Sequence, residues 1–373
     1  MQIFSLTNCP LDPKSGSGKT VLMYSQGLQN LGHSVDVAEP KDYETWHGIG
    51  RAKKFRQAWG AWNLVREKLR MTQYDVIEFY GDEFWLATWQ LSKLPKRPLL
   101  VAHTNGLELI DRDRSQAYNP IRNPLYNWFA QQTHARFSQM AFAYADAFVS
   151  LCELDRKWVL NLGLYPVERT AVVEPGLDEE YLSMPFITQK QNRVAFMGNW
   201  TARKGLNQLS AVMNKVLTKN SSVYFDVYGT GGARDAVLSY FPTYLHPQIV
   251  VHPRLSNREI ANGLAKAKVF FFPSQYEGFG IALAEAMACS CASVTTPTGF
   301  GAELDNEQQA ILCDFDDIDA MENAVLRLLE DEEMRIKIAK NGWERVRSLT
   351  WDKNINKLSN LYYQWTISDL KRS

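Results

Sequence analysis

Short apolar runs, rich in β-branched and aromatic residues, alternate along the chain with stretches whose apolar positions recur at helical spacing. In the first half the runs are Ile3–Thr7, Ser34–Ala38, Tyr74–Phe79, Pro98–His103, Ala147–Leu151 and Ala171–Asp178. In the second half they are Arg193–Met197, Ser222–Tyr228, Ile249–His252, Val269–Phe272, Ala292–Thr296 and Ala310–Cys313. Wholly apolar runs such as Val269–Phe272 predict strands buried on both faces, as in a parallel sheet. Between the runs, Val21–Leu31, Trp85–Leu91, Leu125–Tyr144, Leu154–Leu160, Leu206–Leu217, Asp235–Tyr240, Glu259–Lys266, Ile281–Ala288, Ile318–Leu329 and Glu332–Val346 predict helices. Alternating strands and helices predict an α/β fold with parallel sheets. The 373 residues exceed one ordinary domain and suit two. The polar stretch Glu179–Gln191, interrupted by Pro185, is the expected border. That gives a first domain over 1–180, a second over 181–349 and a terminal helix over 350–373.

The most informative window is Lys268–Glu285, KVFFFPSQYEGFGIALAE. A buried strand stops at Pro273-Ser274, a glycine-bearing loop follows (Glu277-Gly278-Phe279-Gly280), and strong helix formers begin at Ile281. Ligands of open α/β sheets bind at the carboxyl ends of strands, where such loops lie. A helix start there offers free backbone N–H groups to anions. Glu277 in the loop and Glu285 one turn into the helix are carboxylates suited to the paired hydroxyls of a sugar.

Other strand ends carry comparable chemistry. Gly198-Asn199-Trp200-Thr201-Ala202-Arg203-Lys204-Gly205 leads into the helix Leu206–Leu217. Cations at a helix start oppose the helix dipole, so Arg203 and Lys204 there call for a bound anion. Gly229 begins a glycine cluster that allows close backbone approach to a ligand. In the first half, Ser15–Thr20 reads SGSGKT, but a Walker A motif needs a glycine where Pro13 stands. The dinucleotide fingerprint fails as well, because its third glycine would fall on Val21. A loop with Gly16 and Gly18 that opens a helix can still approach a phosphate. His103 ends a strand and precedes Thr104-Asn105-Gly106, where a neutral imidazole can hydrogen-bond a hydroxyl.

Glu277 and Glu285, separated by seven residues within PSxxEGFGxxxxEAMA, resemble the signature of retaining glycosyltransferases of family 4, which have the GT-B fold. The resemblance covers nearly the whole chain and is most specific from Arg193 to Leu312. It implies two Rossmann-like domains facing across a cleft, with the last helix crossing back to the first domain. The face formed by Trp351, Ile355, Leu358, Leu361 and Tyr362 suits that helix. It also implies a hexosyltransferase that moves a sugar from a nucleoside-diphosphate donor to a saccharide or lipid-linked acceptor, as in cell-surface polysaccharide biosynthesis. By the same resemblance Glu285 binds the ribose and Glu277 the donor sugar. Gly278, Phe279, Gly280 and Ile281 present backbone amides to sugar and phosphate, and Gly198 and Gly229 lie near the donor. Lys204 with Arg203 holds the diphosphate, Leu255 borders the base, and His103 and the Gly16–Gly18 loop face the donor from the first domain. The family usually has an arginine after the glycine where this chain has Asn199. Donor base (UDP, GDP or ADP), sugar and acceptor stay open. Two other classes do too: an inactive sugar-nucleotide-binding subunit, and a GT-B epimerase or phosphorylase.

Composition narrows the partners. Forty-one basic and 41 acidic residues give a formal net charge of zero, so nucleic acid is not an expected partner. No D-x-D lies in a candidate site, so neither a metal nor another cofactor is expected. The five cysteines are irregularly spaced, which predicts free thiols in a reducing compartment. The amino terminus has no signal-peptide pattern and no apolar run is long enough to span a bilayer, so a cytoplasmic protein is expected. One local exception to neutrality is Arg51–Arg70, with seven cations against Glu67 alone and Phe55, Trp59, Trp62 and Leu69 at roughly helical spacing. Such a helix either lies on an anionic membrane surface or packs its aromatic stripe on the sheet.

Overall fold

The computed structural model describes residues 1–13, 15–44, 53–107 and 136–370. The expected loop over 107–123 and the first part of the helix expected over 125–144 lie almost wholly outside the described residues, as do Arg51 and Ala52. The chain divides into two compact units, Met1–Gly176 joined by the stretch from Trp351 onward, and Leu177–Thr350.

The first unit is a parallel sheet of β1 (Gln2–Thr7), β2 (Ser34–Ala38), β3 (Val76–Tyr80), β4 (Leu99–His103), β5 (Ala147–Ser150) and β6 (Thr170–Val172), in the order β2-β1-β3-β4-β5-β6. Helices α1 (Gly16–Asn30), α2 (Lys53–Met71), α3 (Trp85–Leu91), α4 (Arg136–Ala143) and α5 (Glu153–Asn161) flank it. Strands β3, β4 and β5 are buried at every position, which is why their sequences lack a polar alternate residue. The polar exceptions on these faces are met by partners. Tyr362, on the terminal helix, reaches Glu78 of β3 and His103 of β4.

The second unit repeats the plan with β7 (Gln191–Met197), β8 (Tyr224–Tyr228), β9 (Ile249–Val251), β10 (Ala267–Phe272), β11 (Ala292–Thr295) and β12 (Ile311–Leu312), in the order β12-β11-β10-β7-β8-β9. Its helices include α6 (Leu206–Lys219), α7 (Arg234–Leu238), α8 (Asn257–Leu264), α9 (Ile281–Ala288), α10 (Ile318–Glu330) and α11 (Glu332–Val346). α12 (Trp351–Leu370) packs against α1 and β4 of the first unit. Each sheet has a point where the strand order changes direction, between β1 and β3 and between β7 and β10. These are the points at which open α/β sheets bind ligands.

Helix α2 departs from the expected aromatic stripe. Its buried face is Gln57, Ala58, Gly60, Ala61 and Val65, small enough for the helix to lie close to its neighbours. A Cβ on Gly60 would strike the Tyr43 carbonyl. Trp62 and Leu69 pack at the core's edge, while Phe55 and Trp59 are 45% and 58% exposed. All five cysteines are free, and four are buried. Among the described residues no helix is long and apolar enough to cross a membrane.

Candidate functional site

The loops that leave β7 and β10 carry most of the candidate residues, and local backbone geometry brings them together. After β7 the chain makes a single 3-10 turn, Ala202–Lys204, and Gly205 (φ +70°) starts α6 in the left-handed region. A Cβ on Gly205 would run into the carbonyl of Pro273 at the end of β10. Only glycine lets the two loops touch there. The Gln275 N–H donates to the Arg203 carbonyl at 2.9 Å across the same junction. Lys204 is thereby delivered to Glu277, with Nζ 2.5 Å from Oε1 and the two side chains 12% and 9% exposed. The ammonium also lies 4.9 Å from the centre of the Phe272 ring.

Glu277 is held in turn. Its N–H donates to Thr298 Oγ1 at 3.0 Å. Gly280 (φ +90°, ψ 50°) is the N-cap of α9 and supplies no side-chain acceptor, so the first N–H groups of that helix have no side-chain cap. Gly278 and Phe279 are buried beneath this turn, and the Phe279 ring stacks on Phe300 at 5.1 Å. The Phe300 N–H donates to the Phe279 carbonyl at 2.7 Å. Ile281 begins α9, and Glu285 lies buried one turn further on.

The neighbouring loop comes close in backbone. The Gly198 N–H donates to the Tyr228 carbonyl at 3.0 Å, and a Cβ on Gly229 (φ +80°) would sit 3.0 Å from the Gly198 nitrogen. Asn199 and Arg203 are exposed, and Arg203 has no ion pair among the described residues. Leu255 is half-buried beyond β9. On loops leaving β7, β8 and β10, the buried atoms Trp200 Nε1, Thr230 Oγ1 and Ser274 Oγ find no partner among the described residues. Orphaned donors and acceptors at strand ends mark a place where a ligand or ordered water supplies the missing bonds.

In the first unit Gly16, Gly18 and His103 are packed into the fold. Gly16 and Gly18 form the first turn of α1 rather than a free loop. Gly18 is buried, and a Cβ on it would strike the Pro10 carbonyl, so its absent side chain serves packing against the β1–α1 connection. His103 is buried. Its Nε2 lies 2.7 Å from the Tyr362 hydroxyl and its ring stacks on Tyr80 at 4.3 Å. Burial alone holds the imidazole down to about 3 and keeps it neutral. Tyr362 and Ser5 both donate to Glu78, whose carboxyl burial pushes up.

Comparison with known proteins now bears on these loops. Residues 14–181 match the family model "Glycosyltransferase Family 4" and residues 179–345 match "Glycosyl transferases group 1". The chain belongs to the family 4-type GT-B glycosyltransferases. Among similar proteins, the uncharacterised glycosyltransferase MJ1178 of Methanocaldococcus jannaschii is 24% identical over 52% of this chain and 53% of its own length. The chain thus spans about half of that relative. The D-inositol 3-phosphate glycosyltransferase of Xylanimonas cellulosilytica is 23% identical over 79% of this chain and 72% of its own. The sucrose-phosphate synthase structure from Thermosynechococcus elongatus superposes with a TM-score of 0.78 at 19% identity, covering 99% of this chain and 100% of that one, which shows the fold.

In this glycosyltransferase the sequence pattern missed Thr298, Gly299 and Phe300 as supports of the Glu277 loop. Gly299 (φ +53°) presses on the Phe279 carbonyl. A glycine pair directly after the strand Ala292–Thr296 was the available signal. The Lys204–Glu277 contact had no signal, because the residues are far apart in sequence.

Proposed function

We propose that this glycosyltransferase moves a hexose from a nucleoside-diphosphate sugar to a saccharide or lipid-linked acceptor with retention at the anomeric carbon. The carrying observation is the Lys204–Glu277 pair at the point where the second sheet changes direction. A buried pair is held in register by both loops, and each member has a use once a donor arrives. Lys204 turns toward the diphosphate with exposed Arg203, and Glu277 is released to accept hydroxyls of the sugar. The uncapped start of α9 and the backbone of Gly198 and Gly229 meet phosphate and sugar oxygens, and Glu285 accepts from the ribose. As the bond from the anomeric carbon to phosphate breaks, its electrons pass to the phosphate oxygen, and Lys204 and Arg203 stabilise that charge. The acceptor oxygen bonds to the same face, and its proton goes to the departing phosphate.

Glu277 is not assigned as a covalent nucleophile. Glu277 and Glu285 arise from one loop-helix unit, whereas glycosidase carboxylates flank the bond they cleave. The test is hydrolysis or transfer from UDP-, GDP- and ADP-sugars. Lys204→Ala should lower kcat/KM at least about a hundredfold, with Lys204→Arg retaining part of it; unchanged turnover in Lys204→Ala refutes the role. Exposed Phe55 and Trp59, with Lys53, Arg66 and Arg70 on the same helix, support peripheral contact of a lipid-linked acceptor's enzyme with anionic membrane. Charge reversal at Lys53, Arg66 and Arg70 should weaken flotation on anionic vesicles about tenfold or more, and equal flotation rejects the contact.

A further inference from the structure

The fold treats the two ends of α9 differently. At its start Gly280 offers no side-chain cap and the first turn holds no acid, so the positive pole is left open. At its end the last carbonyls are all taken. The Cys289, Cys291 and Ser290 N–H groups donate to Glu285, Ala286 and Met287 at 3.2, 3.1 and 2.9 Å. The last two bonds make a Schellman motif, with Ser290 (φ +62°) at the left-handed position that glycine usually fills. That motif leaves the carbonyls of Ala288 and Cys289, and cations from elsewhere in the second unit take both. Arg347 Nη2 donates to Ala288 at 3.1 Å, and Lys190 Nζ donates to Cys289 at 2.8 Å.

Both cations are fixed in place. Arg347, on α11, also donates to the carbonyls of Leu182 and Met184, and its guanidinium lies 3.9 Å from the centre of the Trp343 ring. Lys190 ends a stretch that Ser290 fastens: the Ile187 N–H donates to Ser290 Oγ at 3.1 Å, and that hydroxyl donates to the Pro185 carbonyl at 3.4 Å. A serine at positive φ is strained relative to glycine, and these two bonds are what its side chain adds. Among the described residues neither cation forms an ion pair with a carboxylate; Glu179 acts on Arg347 only from a distance, and Glu285 is the one charged residue of α9 itself. Burial lowers both cations from their ordinary values, a cost that neutral donors at the same carbonyls would not carry. A cation at a helix carboxyl end stabilises any helix; here the opposite pole is open as well. α9 has eight residues and is roughly 12 Å long, so its negative pole would offset much of the field that an anion meets at its start. Two partly buried cations on that pole remove the offset, and salt screens them less than exposed charges.

We infer that Lys190 and Arg347 are positioning residues for the donor: by neutralising the carboxyl pole of α9 and anchoring that end, they strengthen phosphate binding at the helix's opposite end. The inference rests on the reading of the start of α9 as part of the donor phosphate site. Uridine, UMP and UDP, the guanosine and adenosine series, and inorganic pyrophosphate are titrated into the full chain by calorimetry. In Lys190→Met the Kd of the diphosphate that binds should rise about threefold to tenfold, that of its monophosphate less, and that of its nucleoside not at all. Arg347→Gln should give the same order, and supplies the comparison if Lys190→Met does not fold. Lys190→Arg and Arg347→Lys should keep most of the natural affinity. Ser290→Gly loosens the same joint without changing a charge, and should not produce the graded loss. An equal loss for nucleoside and diphosphate, as loosened packing would give, or no loss in either charge-removing variant, overturns the inference. If no nucleotide binds the natural chain, pyrophosphate carries the comparison. Pyrophosphate binding that weakens in the variants then refutes the nucleotide-sugar reading alone, whereas pyrophosphate unbound or unaffected overturns the inference.

Discussion

At the carboxyl end of β4, His103 closes a group of bonded polar side chains, although the Tyr80 hydroxyl stacked beside it and Asn105 two residues on carry orphaned atoms among the described residues. Ser5 and Tyr362 donate to Glu78, Tyr362 meets His103, and nearly all of it is sealed from water. At the carboxyl ends of β7 and β10, Lys204 and Glu277 form a group that is incomplete. The pair is bonded, yet Trp200, Thr230 and Ser274 around it carry orphaned polar atoms, and exposed Arg203 stands next to it. Both groups sit at strand ends, and both contain a residue that the sequence marks as a candidate. Both carry orphaned atoms, so what separates them is access: the first is sealed, and the second borders exposed Asn199 and Arg203. We propose on that ground that the first group serves packing and the second recognition.

The largest stability effect that probes this contrast is at the loop junction. Gly205→Ala forces a Cβ onto the Pro273 carbonyl at φ +70°, and should cost about 2–4 kcal/mol in urea unfolding. Gly231 has a similar φ of +67° but nothing within 4 Å, so Gly231→Ala should cost only about 1–2 kcal/mol. Equal costs would mean that backbone conformation alone, and not contact between the loops, holds the junction.

Next in size is the sealed group. Tyr362→Phe removes one of the two donors to Glu78 and the hydroxyl beside His103 Nε2, and should cost about 1–3 kcal/mol, with little change in donor affinity. A further effect appears with pH. His103 is held at about 3 in the folded chain against 6.5 ordinarily. Its stabilising contribution is complete above pH 6.5 and falls as pH drops, by up to about 1.4 kcal/mol per pH unit. Glu78 is raised, so its contribution has the opposite sign, present in acid and lost as pH rises through its folded value. His103→Gln should accordingly flatten the acid limb of urea midpoints between pH 6.5 and about pH 4. A limb of unchanged slope would show that His103 is not held neutral.

Much of this was legible in the sequence. Wholly apolar runs at Val269–Phe272 and Leu99–Ala102 mark strands covered on both faces, and a parallel α/β architecture follows from them. Pro273-Ser274 and the glycines after it mark the end of β10 as the start of a loop-to-helix unit. Burial decided the rest. His103 and Lys204 both look like polar residues at a strand end, and only packing shows that one is sealed under Tyr362 while the other reaches Glu277. In α2 the aromatic residues carry the stronger periodic signal, but the surface against the sheet has room only for Ala58, Gly60, Ala61 and Val65. Steric limits of that kind have no one-dimensional signature.

Binding of nucleoside diphosphate to the second unit tests the central claim most directly. Thermal unfolding is followed with UDP, GDP and ADP for the natural chain, Lys204→Ala and Lys204→Arg, each referred to its own ligand-free melting temperature. A nucleotide at 100 times its Kd should add about 2.7 kcal/mol, a rise of roughly 5–10 °C, in the natural chain. The rise should vanish in Lys204→Ala and return in part in Lys204→Arg. An equal rise in Lys204→Ala, or no rise with any of the three nucleotides, would contradict the assignment of this pair to the donor phosphate.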